Sequence, residues 1–296
     1  MTTLTAVVAT LGASRLLELR ECLISLTSQS TPLLEILLVF EGDETAFESI
    51  RKLCRGFGIQ CIETAVPGLS GARNTGLSIA RGDVVAFVDD DARVGPEWSS
   101  LILGGYEDEG VIGVGGWVEP DWIGGRPTWF PSELDWVVGC HFTPLSRERG
   151  PVRNIIGANM SFRKDVLVRL GGFRMPGSEE MEFCLRAQET IPHARILLIP
   201  EAVAKHRVPG SRQRLSYLIR RSYFEGISKW RVVTAQANRT VALSLTRETG
   251  YLRHLIRVLP NQTPPQQLAV CLSVLATLFG YLRAKSLSKS YRVKPN

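Results

Sequence analysis

The stretch Asp83-Val84-Val85-Ala86-Phe87-Val88 runs directly into Asp89-Asp90-Asp91. An apolar run this rich in valine predicts a strand buried on both faces, as in a parallel sheet covered by helices. The three carboxylates then fall at the strand's carboxyl end, where open α/β sheets hold their ligands. Adjacent carboxylates repel, and burying them unpaired is expensive. The triplet is therefore either a solvated acidic turn or a set of oxygen ligands for a hard cation.

The preceding segments extend the same architecture. Thr5–Thr10 is predicted as a first strand, and Arg15–Ser28 as a helix with Leu16, Leu19, Leu23 and Leu26 at helical spacing. Glu35–Phe40 is a second strand ending at Glu41-Gly42-Asp43, Ala46–Arg55 a helix, and Ile59–Ile62 a short third strand. Strand–helix alternation predicts an α/β fold with a mostly parallel central sheet and helices on both faces. Right-handed crossovers bring Thr10, Glu41 and Asp89 to one edge of that sheet. Pro67-Gly68-Leu69-Ser70-Gly71-Ala72-Arg73-Asn74-Thr75-Gly76 opens a further helix. Its glycines and Ser70 suit an anion-receiving helix N-terminus, with Arg73 one turn in, although helix entry alone explains them equally. Beside the acidic strand end, the combination suits a metal-bound diphosphate.

Beyond this point the pattern loosens. Val111–Val118 is a strand, and Glu119–Asp135 an irregular connection with Trp117, Trp122, Trp129, Phe130 and Trp136 in and around it. Such rings stack on sugars, anchor at membranes or complete a core. Asn154–Phe162 is a strand, Lys164–Leu170 a short helix and Gly171-Gly172-Phe173 a turn. A second acidic cluster, Ser178-Glu179-Glu180-Met181-Glu182, opens a helix. Capping by Ser178 and the helix dipole account for it structurally. His206 follows two strand-like pieces, Ile196–Ile199 and Ala202–Lys205.

Charge bears on the partner. The net charge of +6 suggests an anionic one, and the excess lies from Lys205 onward, which argues against a nucleic-acid-coated protein. Arg212, Arg214, Arg220 and Arg221 load a predicted helix over Ser211–Lys229 and suit a diphosphate lid or phospholipid heads. The uncharged run Leu268–Leu282 falls short of the roughly 20 residues that span a bilayer. With its basic flank of Arg283, Lys285, Lys289, Arg292 and Lys294, it reads as an in-plane or re-entrant membrane helix, or else as a helix packed on the main domain. Six scattered cysteines form no metal spacing, and Met1-Thr2-Thr3-Leu4 lacks signal-peptide character, so reduced thiols in the cytoplasm are expected.

The order strand–Glu41, Gly68-Leu69-Ser70-Gly71-Ala72-Arg73-Asn74-Thr75-Gly76, then Val85-Ala86-Phe87-Val88-Asp89-Asp90-Asp91 resembles family 2 of the inverting nucleotide-sugar glycosyltransferases. The resemblance implies a Rossmann-like GT-A domain over 1–209, followed by a basic helical, membrane-associating extension over 210–296. It further implies nucleotide contacts at Thr10, Glu41, Arg73, Asp89 and Asp90, with Mn²⁺ or Mg²⁺ on Asp91 and His206. Glu180 matches the catalytic base and Glu179 its positioning neighbour. Trp136, Asn159 and Met160 would line the acceptor or donor sugar, and Arg220 and Arg221 would meet the diphosphate or lipid heads. Glu stands at 41 and at 180 where many members carry Asp. Trp129–Cys140, Asn154–Phe162, the Glu179-Glu180 pair and Arg220–Gly226 are similar to transferases that add glucuronate to a prenyl-linked hexose. The resemblance thus implies a UDP-sugar donor, a lipid-linked or glycan acceptor, and a peripheral place on the cytoplasmic membrane face. The other readings are a non-catalytic sugar-nucleotide or membrane-binding protein of this fold, or a transferase with a soluble or protein-linked acceptor. No P-loop and no Gln-x-x-Arg-Trp motif occurs, against a phosphotransferase or a processive synthase.

Overall fold

The computed structural model describes residues 2–11, 13–42, 44–174, 178–235 and 240–291. Asp43, Arg292, Lys294 and the side chain of Lys289 lie outside the described residues. The chain divides into two compact units: residues up to Asp121 with Arg147–Arg207, and Trp122–Ser146 with the chain from Val208 onward.

In chain order the first unit is built from β1 (Leu4–Leu11), α1 (Leu16–Thr27), β2 (Glu35–Glu41), α2 (Glu44–Phe57), β3 (Gln60–Glu63), α3 (Leu69–Ile79), β4 (Val84–Asp89) and β5 (Ala92–Val94). There follow α4 (Trp98–Gly104), β6 (Val111–Trp122), β7 (Gly150–Pro151), β8 (Asn159–Arg163), α5 (Lys164–Arg169), α6 (Glu179–Thr190) and β9 (Arg195–Val208). The sheet order is β3-β2-β1-β4-β8-β6-β9-β5, with β7 on β9. β3, β2, β1 and β4 run parallel, and β8 is inserted antiparallel between β4 and β6.

Alternation along the strands sorts the core into two layers. Ala6, Val8, Leu38, Phe40, Val84 and Ala86 face α1, α2 and α4, while Val7, Leu37, Val39, Val85 and Phe87 face α3, α5 and α6. Strands buried on both faces must be apolar at every position, which is the pattern of Val84–Val88. The expected α/β architecture with helices on both faces is the one observed.

Two strands outrun their predicted limits. β6 continues through Glu119-Pro120-Asp121 to Trp122. Its pairing to β8 covers only Gly113–Gly115, so Pro120 interrupts no bond to that neighbour. Ion pairs from Arg93 to Asp121 and from Arg147 to Glu119 hold the extension. β9 is one strand through Pro200-Glu201, so His206 lies inside it rather than after it.

The second unit contains α7 (Leu215–Ala235), α8 (Thr240–Val258) and α9 (Pro264–Tyr291). α7 and α9 cross at backbone contact. A Cβ on Gly226 would lie 2.0 Å from the Thr277 carbonyl, and one on Gly280 2.0 Å from that of Tyr223. The buried Ser222 and Ser273 hydroxyls share a hydrogen bond of 2.8 Å at the same crossing. Small residues on both helices permit the approach. Pro264–Leu287, 24 residues, is long and apolar enough to cross a membrane, which corrects the shorter estimate from Leu268–Leu282. The uncharged run ends at Leu282, but the helix carries on through its basic flank.

Candidate active site

Asp89 ends β4, and Asp90 and Asp91 form the turn into β5. β5 pairs antiparallel with β9 in a register that sets Ala92 opposite His206. The Arg207 N–H donates to the Asp91 carbonyl at 2.9 Å. Pairing thus carries a histidine more than a hundred residues away to the acidic turn. His206 Nε2 lies 3.0 Å from Asp91 Oδ1, and both side chains are about 5% exposed. Asp89, Asp91 and His206 each offer a ligand atom, and these atoms all lie within 4.8 Å of one another.

The turn is braced from β1 and the start of α1. Thr10 Oγ1, itself buried, donates to Asp90 Oδ2 at 2.6 Å. Arg15 Nη1 donates to Asp90 Oδ1 at 3.0 Å and to Asp91 Oδ2 at 2.9 Å. Burial pushes the Asp90 carboxyl upward, and the charges of Asp91 and Asp89 push the same way, against the Thr10 hydrogen bond and Arg15. The buried Cys22 thiol donates to the Asp89 carbonyl at 3.5 Å. Its pKa stands well above normal, through desolvation and then the neighbouring carboxylates.

The second acidic cluster meets the first through one guanidinium. α3 begins at Leu69 after Gly68, whose φ of 86° is left-handed backbone that favours glycine. The Gly68 N–H donates to Glu41 Oε2 at 2.7 Å, so Glu41 ties the end of β2 to the mouth of α3. One turn on, Arg73 is buried. Its Nη2 donates to Asp89 Oδ1 and to the Gly157 carbonyl, both at 3.1 Å, and its Nη1 donates to Glu179 Oε1 at 2.9 Å. Glu179 and Glu180 open α6, with Glu179 buried and Glu180 half-buried beside it. Ser178 takes the N-cap position without a side-chain capping bond.

Arg186 anchors that helix, pairing with Glu182 in a bidentate bridge and donating to the Gly172 carbonyl at 2.8 Å. Asn74 of α3 exchanges two hydrogen bonds with the backbone of Phe173. Gly172 and Phe173 are therefore held from two helices.

Thr10, Asp89, Asp90, Asp91, Arg73, Glu179 and His206 form one connected set, with Glu180 adjoining Glu179. Glu41 stands one step out, at the mouth of α3. Asn159 and Met160 are corrected from sugar contacts to core residues, since both are fully buried. The Asn159 amide is spent on Trp98 Nε1 and the Ala202 carbonyl, both at 2.8 Å. Trp136, Arg220 and Arg221 belong to the second unit. There Trp136 Nε1 donates to Tyr251 Oη at 3.0 Å, Arg221 pairs with Glu225, and Arg220 stacks on Tyr217. Arg15, Asn74 and the Gly157 carbonyl were not anticipated. Arg15 sits at the predicted start of a helix, where a lone arginine carries no motif.

A mostly parallel sheet with carboxylates at the end of its fourth strand, facing an acidic helix N-terminus, is the arrangement of a GT-A glycosyltransferase. The chain belongs to the glycosyl transferase family 2, whose model matches residues 5–171. It is 30% identical over 239 residues to the glucosyl-dolichyl phosphate glucuronosyltransferase of Haloferax volcanii, covering 75% of each chain. It is 28% identical over 232 residues to the succinoglycan biosynthesis protein ExoM of Rhizobium meliloti, covering 75% of this chain and 73% of that one. Among solved structures, the mannosyltransferase PcManGT of Pyrobaculum calidifontis, in complex with GDP-Man and Mn²⁺, superposes with a TM-score of 0.63 at 16% identity. That match covers 99% of this chain and 88% of the mannosyltransferase. GalNAc-T7 with UDP, GalNAc and Mn²⁺ gives a TM-score of 0.55 at 17% identity, over 70% of this chain and 43% of that one. The protein is a glycosyltransferase of family 2 with the GT-A fold.

Proposed function

We propose that the enzyme inverts configuration as it moves a sugar from a UDP-linked donor, of which UDP-glucuronate is the leading case, to a hydroxyl of a lipid-linked sugar or growing glycan. The observation that carries this is the Arg73 guanidinium, which joins Asp89 to Glu179 and so ties a cation-binding group to the first turn of α6, which carries the base candidate Glu180.

Two carboxylates and an imidazole, Asp89, Asp91 and His206, fit a divalent cation, and the nitrogen ligand suits Mn²⁺ better than Mg²⁺. When bound, the cation supplies Lewis-acid neutralisation of charge on the departing nucleoside diphosphate. The chain's own groups do the rest. Thr10 holds Asp90 and thereby the turn that presents Asp91, while Glu41 shapes the loop beside the nucleotide. Glu180 accepts the proton of the acceptor hydroxyl as that oxygen attacks the anomeric carbon. The bond to the diphosphate breaks on the opposite face, so an α-linked donor yields a β-glycoside. Glu179, fixed by Arg73, holds the first turn of α6 and with it the position of Glu180.

The acceptor class draws support from two sources. The Haloferax relative is named for a dolichyl-phosphate-linked substrate, and ExoM for polysaccharide biosynthesis. On α9, Leu268, Leu275, Leu278, Phe279 and Leu282 are each at least half exposed, an apolar strip suited to a lipid surface at the cytoplasmic face. Incubation with a panel of UDP- and GDP-sugars and a prenyl-phosphate-linked hexose, with Mn²⁺ or with chelator, tests the reading. Nucleotide release and a product heavier by one glycosyl unit are expected with Mn²⁺ alone. Equal turnover in chelator overturns the metal's part, and no turnover with any lipid-linked acceptor overturns the acceptor.

A further inference from the structure

Arg15 pairs with the acidic turn and has no role in the mechanism above. It ends the 3-10 turn Ala13–Arg15, and its guanidinium is the partner of two buried carboxylates while its side chain stays 44% exposed. Asp91 is thereby engaged on both oxygens, Oδ1 by His206 and Oδ2 by Arg15. Asp90 has its own support from Thr10 and does not depend on Arg15 alone. Arg73, by contrast, is buried and committed to three acceptors. Arg15 thus combines solvent access with a long side chain at the metal-candidate turn. A cation held by Asp91 would compete with Arg15 for the same carboxylate, because two positive charges on one carboxylate repel. A guanidinium released there keeps its forked donors, which match phosphate oxygens.

We propose that Arg15 is a diphosphate-binding residue, held on Asp90 and Asp91 until a divalent cation takes Asp91, and then transferred to the phosphate oxygens of the nucleotide. This rests on the nucleotide-sugar reading above.

Binding of Mn²⁺, UDP, GDP and uridine to the full chain, by calorimetry, tests it in wild type and in Arg15→Gln. With Mn²⁺ saturating, the variant is expected to bind the nucleoside diphosphate at least tenfold more weakly. Its affinity for uridine, which has no phosphate, should not move, and Mn²⁺ alone should bind several-fold more tightly. Arg15→Lys keeps the charge without the fork; it serves as the second variant should Arg15→Gln not fold, and a loss of fivefold or more is expected there. Wild type that binds neither UDP nor GDP with Mn²⁺ overturns both this role and the reading beneath it. Wild type that binds, with variants equal to it, overturns the role of Arg15 alone. A loss equally large for uridine also overturns it, because the residue then supports the site's shape and not the phosphates.

Discussion

Arg73 concentrates the electrostatics of the site in one side chain. It sits on α3 as a charged residue in an otherwise apolar layer, and its burial is tolerated because Asp89, Glu179 and the Gly157 carbonyl take its donors. Removing it leaves Glu179 charged and buried without that partner. Arg73→Met is therefore expected to lower stability by about 3–5 kcal/mol, the cost of breaking a buried pair on one side. Urea denaturation measures this, and a loss below about 1 kcal/mol, the value of an exposed pair, would contradict the burial argument. Arg73 shows how little a Gly-rich motif says about its own arginine. The motif suggests an arginine aimed at an anionic ligand, whereas the folded chain turns it inward as the brace between two acidic elements. Glu41, partly exposed, likewise accepts from the Gly68 N–H, a backbone contact that no local pattern announces.

At the scale of elements, strand ends are fastened by single carboxylates. Glu35 at the start of β2 accepts from Thr5 Oγ1 at 2.9 Å, from the Arg81 N–H at 2.6 Å and from Arg81 Nε at 2.8 Å, joining β1, β2 and the approach to β4. Burial raises its pKa, but the Arg81 and Thr5 hydrogen bonds outweigh that and hold it below the ordinary carboxylate value. A depressed pKa contributes stability that is present above the unfolded value and lost as pH falls through the folded one. Glu35→Gln is accordingly expected to be roughly 1 kcal/mol less stable than wild type at pH 7, with the gap closing below about pH 4. Denaturation curves at the two pH values decide it, and a gap that widens in acid contradicts the assignment. On the other unit, α7 covers one side of α9 and itself carries Arg220, Arg221, Lys229 and Arg231. Those charges are costly in hydrocarbon, so α9 is expected to lie along a bilayer surface rather than cross it. Full-length chain should sediment with vesicles containing phosphatidylglycerol, and a chain cut before Leu268 should remain in solution while still binding nucleotide. Equal sedimentation of both would place membrane contact elsewhere.

For the molecule as a whole, legibility followed the range of the forces involved. Parallel strands buried on both faces write themselves as apolar runs, so β1, β2, β4 and their helices were readable within a few residues. The acidic turn was readable too, because carboxylates at a strand's carboxyl end have few purposes. Long-range pairing was not. His206 reaches Asp91 through the β5–β9 register, and no local pattern encodes a three-residue strand such as Ala92–Val94. Asn159 and Met160 look like a polar-apolar step in a site-lining strand, yet tertiary packing spends both on the core. Arg15 was missed for a related reason, since its partners lie more than seventy residues away. The proposed chemistry requires Glu180 to act beside the metal-candidate turn, and the direct measurement is glycosyl transfer by Glu180→Gln together with its affinity for UDP and Mn²⁺. Transfer should fall by about 10²–10⁴-fold, the usual contribution of a general base, while nucleotide and metal affinity stay at wild-type levels. Transfer at the wild-type rate would contradict it.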